Sequence, residues 1–330
     1  HSQVLRNIGN ILKTNTATCR SLGYPFVTQL TKIYMDMLNL YKLLSEKVSS
    51  VVETNGEQAL KDPSVKQMRA VKREILVLIS TWLEKAEDDV DNVLDNFVPP
   101  LFDAVLFDYQ RNVASAREPN VLSLLSTLTD SLKASHRSVE NDRLVFQNRL
   151  NARVMDILDA VFMCTLEMVN KDMEAWPEHR TNFFALLKTL VHHCFDVLIV
   201  LPPEQFKYIV DAVVWAFQHD MRNVAEAGWD MLEDLLDKVA TLSDAGAQAN
   251  FYSTFYMNLL QHVLAVVADH SQVHVAGLTH ASRILCALFR APEYSIKQPL
   301  NPSNPSQNNV DFVFESIFEL LRQHFGHLTP

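Results

Sequence analysis

The sequence predicts an all-α fold, a row of stacked helical hairpins, on three observations. Apolar residues recur at helical spacing in segment after segment. A six-residue stretch occurs twice, as RNVASA starting at Arg111 and as RNVAEA starting at Arg222, identical at five of six positions. Strand signals are weak: the single Asn55-Gly56 pair lies in a polar loop, and no alternating apolar run flanks it.

Each element follows from its apolar stripe. A long helix, 25–52, starts at Pro25 and is followed by a second helix, 65–83. The segment 97–109, opened by Pro99 and Pro100, is followed by 117–133. Next come 152–169 and 177–200, separated from the preceding pair by a polar insert at 134–149. Pro202 and Pro203 open a helix whose face is Phe206, Ile209, Val210, Val213, Val214 and Phe217. After a break at 218–220, the positions Met221, Val224, Ala225, Gly228, Leu232, Leu235, Leu236 and Val239 form one face of its partner. The last pair is 251–268 and 273–288. Segments 4–12 and 310–325 read as the second helix of a preceding unit and the first helix of a following one.

A hairpin of about 40 residues cannot bury its stripe alone, so neighbouring hairpins must stack. The expected architecture is therefore a right-handed α-solenoid of HEAT type, a single array over 1–330. Its approximate repeats are 25–85, 97–133, 151–200, 203–241 and 250–290, with half-repeats at 2–17 and 309–326. Second helices are expected to begin near Arg69, Arg111, Arg180, Arg222 and His274. The duplicated hexapeptide then marks the start of a second helix: an Asp/Arg pair followed by small apolar residues. Asp220 with Arg222 fits this well, Asp108 with Arg111 approximately.

Composition narrows the function classes. With 48% hydrophobic residues in 330, the chain can bury a large core. It has only 7 glycines and contains neither GxGxxG nor GxxxxGK[ST], which weighs against a nucleotide-cradling enzyme. The net charge of −10 is not the basic footprint of a nucleic-acid binder. Cys19, Cys164, Cys194 and Cys286 form no CxxC and read as reduced, buried thiols of an intracellular protein. The mixed first residues show no signal peptide, and the absent initiator Met suggests a fragment. The uncharged run 251–268 carries Ser253, Thr254, Asn258, Gln261 and His262, so it reads as a buried helix and not a membrane span.

Longer stretches carry a resemblance. "ILKTNTATCRSLGYPFVTQLTKIYMDMLNLYK", "MRAVKREILVLISTW", "NFVPPLFDAVLFDYQRNVASAREPNVL", "NKDMEAWPEHRTNFFALL" and "LNPSNPSQNN" closely resemble the C-terminal third of the exportins, nuclear export receptors of the karyopherin-β family. The likeness runs in order over nearly the whole chain. It implies a non-enzymatic receptor that binds Ran-GTP together with leucine-rich export-signal cargo. It also implies nucleoporin contacts, passage through nuclear pores, and shuttling between nucleus and cytoplasm. No cofactor is implied, because GTP is carried by Ran; neither direct nucleic-acid binding nor membrane insertion is implied. The family's export-signal groove with its reactive cysteine lies upstream, so none of the four cysteines takes that role. The N-terminal Ran-binding repeats and the acidic tail helix also lie outside this segment. The insert at 134–149 is longer and more polar than the family pattern.

Three clusters are candidate partner contacts. Lys66, Arg69, Lys72 and Arg73 line one flank of a second helix and could meet an acidic surface on Ran or cargo; a solvated helix face is the competing reading. Glu226, Asp230, Glu233 and Asp234, continued by Asp237, form an acidic flank that could meet a basic patch or simply be solvated. Glu178, His179 and Arg180, with Asn182, sit at a helix start and could touch a partner or tie repeats together. No metal site is expected. His192, His193 and Cys194 point around a helix, and Asp269, His270 and His274 straddle a turn. A static HEAT scaffold and an enzyme on a helical solenoid remain the alternatives to a transport receptor, and GTP-dependent association with Ran separates the receptor from the scaffold.

Overall fold

The computed structural model describes residues 2–86, 90–134, 140–172, 175–268 and 275–324. The protein is all-α, with no strand among the described residues. Two compact units divide it, His1–Cys194 and Phe195–Pro330.

In the first unit, α1 (Ser2–Leu22) lies along α3 (Pro63–Leu83), and α2 (Tyr24–Asn55) packs on α3 as its hairpin partner. Gly56 ends α2 at φ 76°, a left-handed conformation that glycine reaches without Cβ strain, and its N–H caps the Val52 carbonyl. Pro63 then starts α3, where its missing N–H costs nothing.

The next first helix corrects an expectation. Pro99 and Pro100 do not open it. The helix begins at α4 (Val90–Asn92), passes through a π turn at Val93–Phe97 and continues as α5 (Val98–Arg111). The prolines have no N–H to donate back, so the ladder cannot continue in α register, and the wider π turn carries the chain across the gap. Its partner is α6 (Asn120–Ala134).

The third first helix likewise starts earlier than its apolar stripe. It comprises α7 (Glu140–Ile157), a π turn at Leu158–Phe162 and α8 (Met163–Lys171). Much of the polar insert is therefore helix, and Phe146 and Leu150 are buried. Arg149 ties this extension to the preceding helix through Asp91 and Asp95. Residues 135–139 lie outside the described residues. Helix α9 (Pro177–Leu198) completes the hairpin and breaks at Cys194, whose φ of −126° and ψ of 26° are not helical. Within this unit α1, α3 and α6 lie side by side, as do α2 and α5, which is the layering of an α-solenoid.

The second unit contains α10 (Pro203–Phe217), α11 (Arg222–Ala240), α12 (Ala245–Ala268), α13 (Val275–Tyr294) and α14 (Asn309–His324). Helix α11 packs on α10 and α13, and α14 rests on α12 and α13. Gly228 lets α10 and α11 touch: a Cβ there would lie 2.2 Å from the Phe217 backbone nitrogen. Helix α12 buries Phe251, Tyr252, Phe255, Tyr256 and Leu260 against its neighbours. Among the described residues no helix is long and apolar enough to cross a membrane.

Candidate partner-contact surfaces

The basic segment of α3 folds mostly inward. Lys72 has 0% exposure, and its Nζ lies 2.8 Å from Asp108 Oδ2 on α5. The Tyr41 hydroxyl donates to the same oxygen at 2.9 Å, and the ammonium sits 4.8 Å from the Tyr41 ring centre. Asn112 donates to Asp108 Oδ1 at 2.7 Å and accepts from Ser49 Oγ at 3.0 Å. Burial, and then the Asp108 carboxylate, push the Tyr41 hydroxyl well above its ordinary pKa, so it stays a donor. A charge can occupy a core only when it is paired and hydrogen-bonded. Asp108 satisfies Lys72 in this way, joining α2, α3 and α5.

A second tie lies one turn earlier. Arg69 Nε donates to Glu118 Oε1 at 2.5 Å, and Arg73 Nη1 stands 3.7 Å from Glu118 Oε2. Glu118 is buried, in the turn between α5 and α6. Arg117 beside it donates to the Tyr109 carbonyl at 3.0 Å and to the Cys164 carbonyl of α8 at 2.9 Å. The reading of Arg69, Lys72 and Arg73 as one outward-facing basic flank is thus corrected. Lys72 is interior and Arg69 is mostly covered, whereas Lys66 and Arg73 remain exposed.

The start of α9 behaves similarly. Arg180 is buried and donates to the carbonyls of Val169 at 2.9 Å and Asp172 at 2.8 Å, closing α8 against α9. His179 is buried with its ring edge-on to Trp176. Burial drives its pKa down to about 4, so the imidazole is neutral at physiological pH. Asn182 donates to the Pro119 carbonyl at 3.0 Å, linking α9 to the start of α6. Of this cluster only Glu178 stands free in solvent by exposure.

The acidic flank of α11 is divided. Glu233 meets His280 at 3.2 Å and Arg283 at 3.3 Å, both from α13, and Asp230 lies 3.7 Å from His280. Glu226 pairs with Arg222 on its own helix at 2.7 Å. Asp234 is half-buried. Burial, followed by the Glu233 and Asp234 charges, raises the Asp237 pKa. Asp230 and Glu233 therefore face a neighbouring helix as well as solvent.

Several organising residues were not singled out as functional by sequence reasoning: Glu118, Arg117, Asn112 and Ser49. The available signal was Glu118-Pro119, a charged residue fixed just before a helix start. Among the described residues no cluster of His, Cys, Asp or Glu could hold a metal. His193 instead meets Asp130 of α6 at 3.1 Å. Asp269, His270 and His274 lie outside the described residues. Cys19 and Cys194 are buried, Cys164 is partly buried and Cys286 is exposed.

Comparison with known proteins places this architecture. The family described as "CRM1 C terminal" matches residues 29–330. Exportin-1 of Drosophila melanogaster is 41% identical over 326 residues, which is 98% of this chain and 29% of that protein. Exportin-1 of Schizosaccharomyces pombe is 39% identical over 332 residues, 99% of this chain and 29% of that protein. Protein EXPORTIN 1B of Arabidopsis thaliana is 40% identical, with the same two coverages. The chain thus spans under a third of the length of the curated relatives it matches. With stacked helical hairpins and a family match across nearly all its residues, the chain belongs to the CRM1 C-terminal family of the exportins.

Proposed function

We propose that the chain is the C-terminal part of a nuclear export receptor. In the full-length protein it works with Ran-GTP and leucine-rich export-signal cargo, contacts nucleoporins, and shuttles between nucleus and cytoplasm. The observation that carries this reading is the likeness to exportins over 98% of the chain. It acts by binding and not by chemistry, and needs no cofactor of its own.

Within that reading, the residues free to meet partners are Lys66 and Arg73 on α3, Glu178 on α9, and Glu226 on α11. The exposure of Lys66, Arg73 and Glu178 supports the choice, and Glu226 is half-exposed beside its ion-pair partner Arg222. Exposed charges of this kind steer association and contribute little to stability.

The test is retention of the full-length protein on an immobilised leucine-rich signal peptide, with and without Ran-GTP. The expected result is retention that depends on Ran-GTP. Equal retention in both conditions, or none in either, overturns the proposal and favours a static scaffold. Lys66→Glu with Arg73→Glu then asks whether α3 takes part: slower association that recovers at high salt is expected, and unchanged kinetics count against it.

A further inference from the structure

A cleft lies between α2 and α5, and its Ser45, Glu46, Asp103 and Phe107 take no part in the contacts described above. It has a volume of about 240 Å³ and opens on the first-helix side of the first unit. We infer that this cleft binds an arginine side chain presented by a partner protein. The inference stands apart from the export reading, because it rests only on the chemistry of the cleft.

The floor offers acceptors. Ser45 lines it, is 6% exposed, and its Oγ makes no hydrogen bond among the described residues. A buried hydroxyl without a partner is costly to leave unmade. Ser49 beside it donates its proton to Asn112 and keeps its lone pairs. Asp108 also lines the floor as a carboxylate already held in place by Lys72 and Tyr41.

The rim adds charge and an aromatic face. Glu46 and Asp103 are exposed, line opposite sides, and form no ion pair among the described residues. The cations nearby are mostly committed: Lys72 to Asp108, and Arg111 to Glu53 at 3.1 Å. Lys42 alone opposes the two free carboxylates, so the cleft carries a surplus of negative charge. Phe107 stands at the edge with 62% exposure. A guanidinium is flat, carries five donors and no acceptor, and stacks on aromatic rings. It can lie on Phe107, direct donors to Glu46 and Asp103, and give Ser45 the partner it lacks. An ammonium would satisfy fewer of these groups, and an acidic or purely apolar side chain would satisfy none of the acceptors.

The test is a methyl NMR titration that follows Ala104, which lines the cleft. The probes are the peptide Gly-Ser-Gly-Arg-Gly-Ser-Gly and the same peptide with citrulline, which keeps the shape and loses the charge. The arginine peptide is expected to shift the Ala104 methyl, with the citrulline peptide weaker by about tenfold or more. Glu46→Gln with Asp103→Asn should weaken binding by about tenfold, and Phe107→Ala by about threefold. These three side chains are exposed, so folding is retained. Ser45→Ala should also weaken binding while leaving thermal stability equal or higher, an outcome that a merely structural hydroxyl would not give. Glu204→Gln, at an exposed position of α10 in the second unit, should change nothing. The inference is overturned by an unmoved Ala104 methyl, by equal binding of the citrulline peptide, or by loss of affinity in Glu204→Gln as large as in the cleft variants, which would mark general attraction to an acidic chain.

Discussion

RNVASA and RNVAEA share five residues and adopt different structures. In the first copy, Arg111 ends α5, a 3-10 turn covers Ala114–Ala116, and α6 waits until Asn120. In the second copy Arg222 starts α11 directly. Burial differs too: Asn112 is buried and Val113 exposed, whereas Asn223 is exposed and Val224 buried. The expectation that both copies open a second helix holds only for the second. The reason lies outside the hexapeptide. Pro119 follows the first copy and disfavours helical geometry at Glu118 before it. No proline follows the second copy, and Gly228 draws α11 hard against α10. Identical local residues thus serve as a turn in one place and a helix start in the other.

The comparison can be broken most forcefully at the buried carboxylate of the first copy. Asp108→Ala would leave Lys72 buried and unpaired, and a loss of about 3 to 5 kcal/mol is expected by urea denaturation. The double variant Asp108→Leu with Lys72→Met should recover most of that loss. If the single variant costs under about 1 kcal/mol, the pair is not what closes α2, α3 and α5.

The second copy is most sensitive at Gly228. A methyl group there would meet backbone, which cannot give way as a side-chain tip can, so Gly228→Ala should cost about 3 kcal/mol. Gly277→Ala is the control. Its Cβ would lie 3.2 Å from Trp229 Nε1, a longer contact and to a side chain, so a smaller loss is expected. Hydrogen exchange over 203–240 distinguishes the two.

Acid should strain the first copy's neighbourhood through His179, whose backbone partner is Arg117. Its folded pKa of about 4 lies below the unfolded value, so the unfolded chain binds the extra proton. Stability is therefore complete above about pH 6.5 and falls as the pH drops towards about 4, by at most about 3 kcal/mol. His179→Gln should flatten that part of the profile; an unchanged slope would assign it to other groups.

The smallest effect is the most direct test of the comparison. Pro119→Ala removes the block on helix entry, and α6 should gain helical amide protection at Arg117 and Glu118 with a stability change within about 1 kcal/mol. If those amides stay unprotected, the turn is held by Glu118 and Arg117 contacts and not by the proline.

The sequence by itself determined the all-α class, the hairpin pairing and the family, because apolar spacing and long matched segments are local properties of the chain. It also marked α10 and α11 closely, with their proline start and regular stripe. It could not show that helices continue through π turns past Pro99 and Pro100, or that residues 140–149 of the polar insert become part of α7, since both depend on a neighbour holding the helix in place. It could not sort the charges of α3 either. Lys66, Arg69, Lys72 and Arg73 look equivalent along the sequence, yet Lys72 faces Asp108, contributed by a helix 36 residues away. Only the packing of α2, α3 and α5 decides which cation goes inside, because a buried charge is tolerated solely where another element supplies its counter-charge and hydrogen bonds.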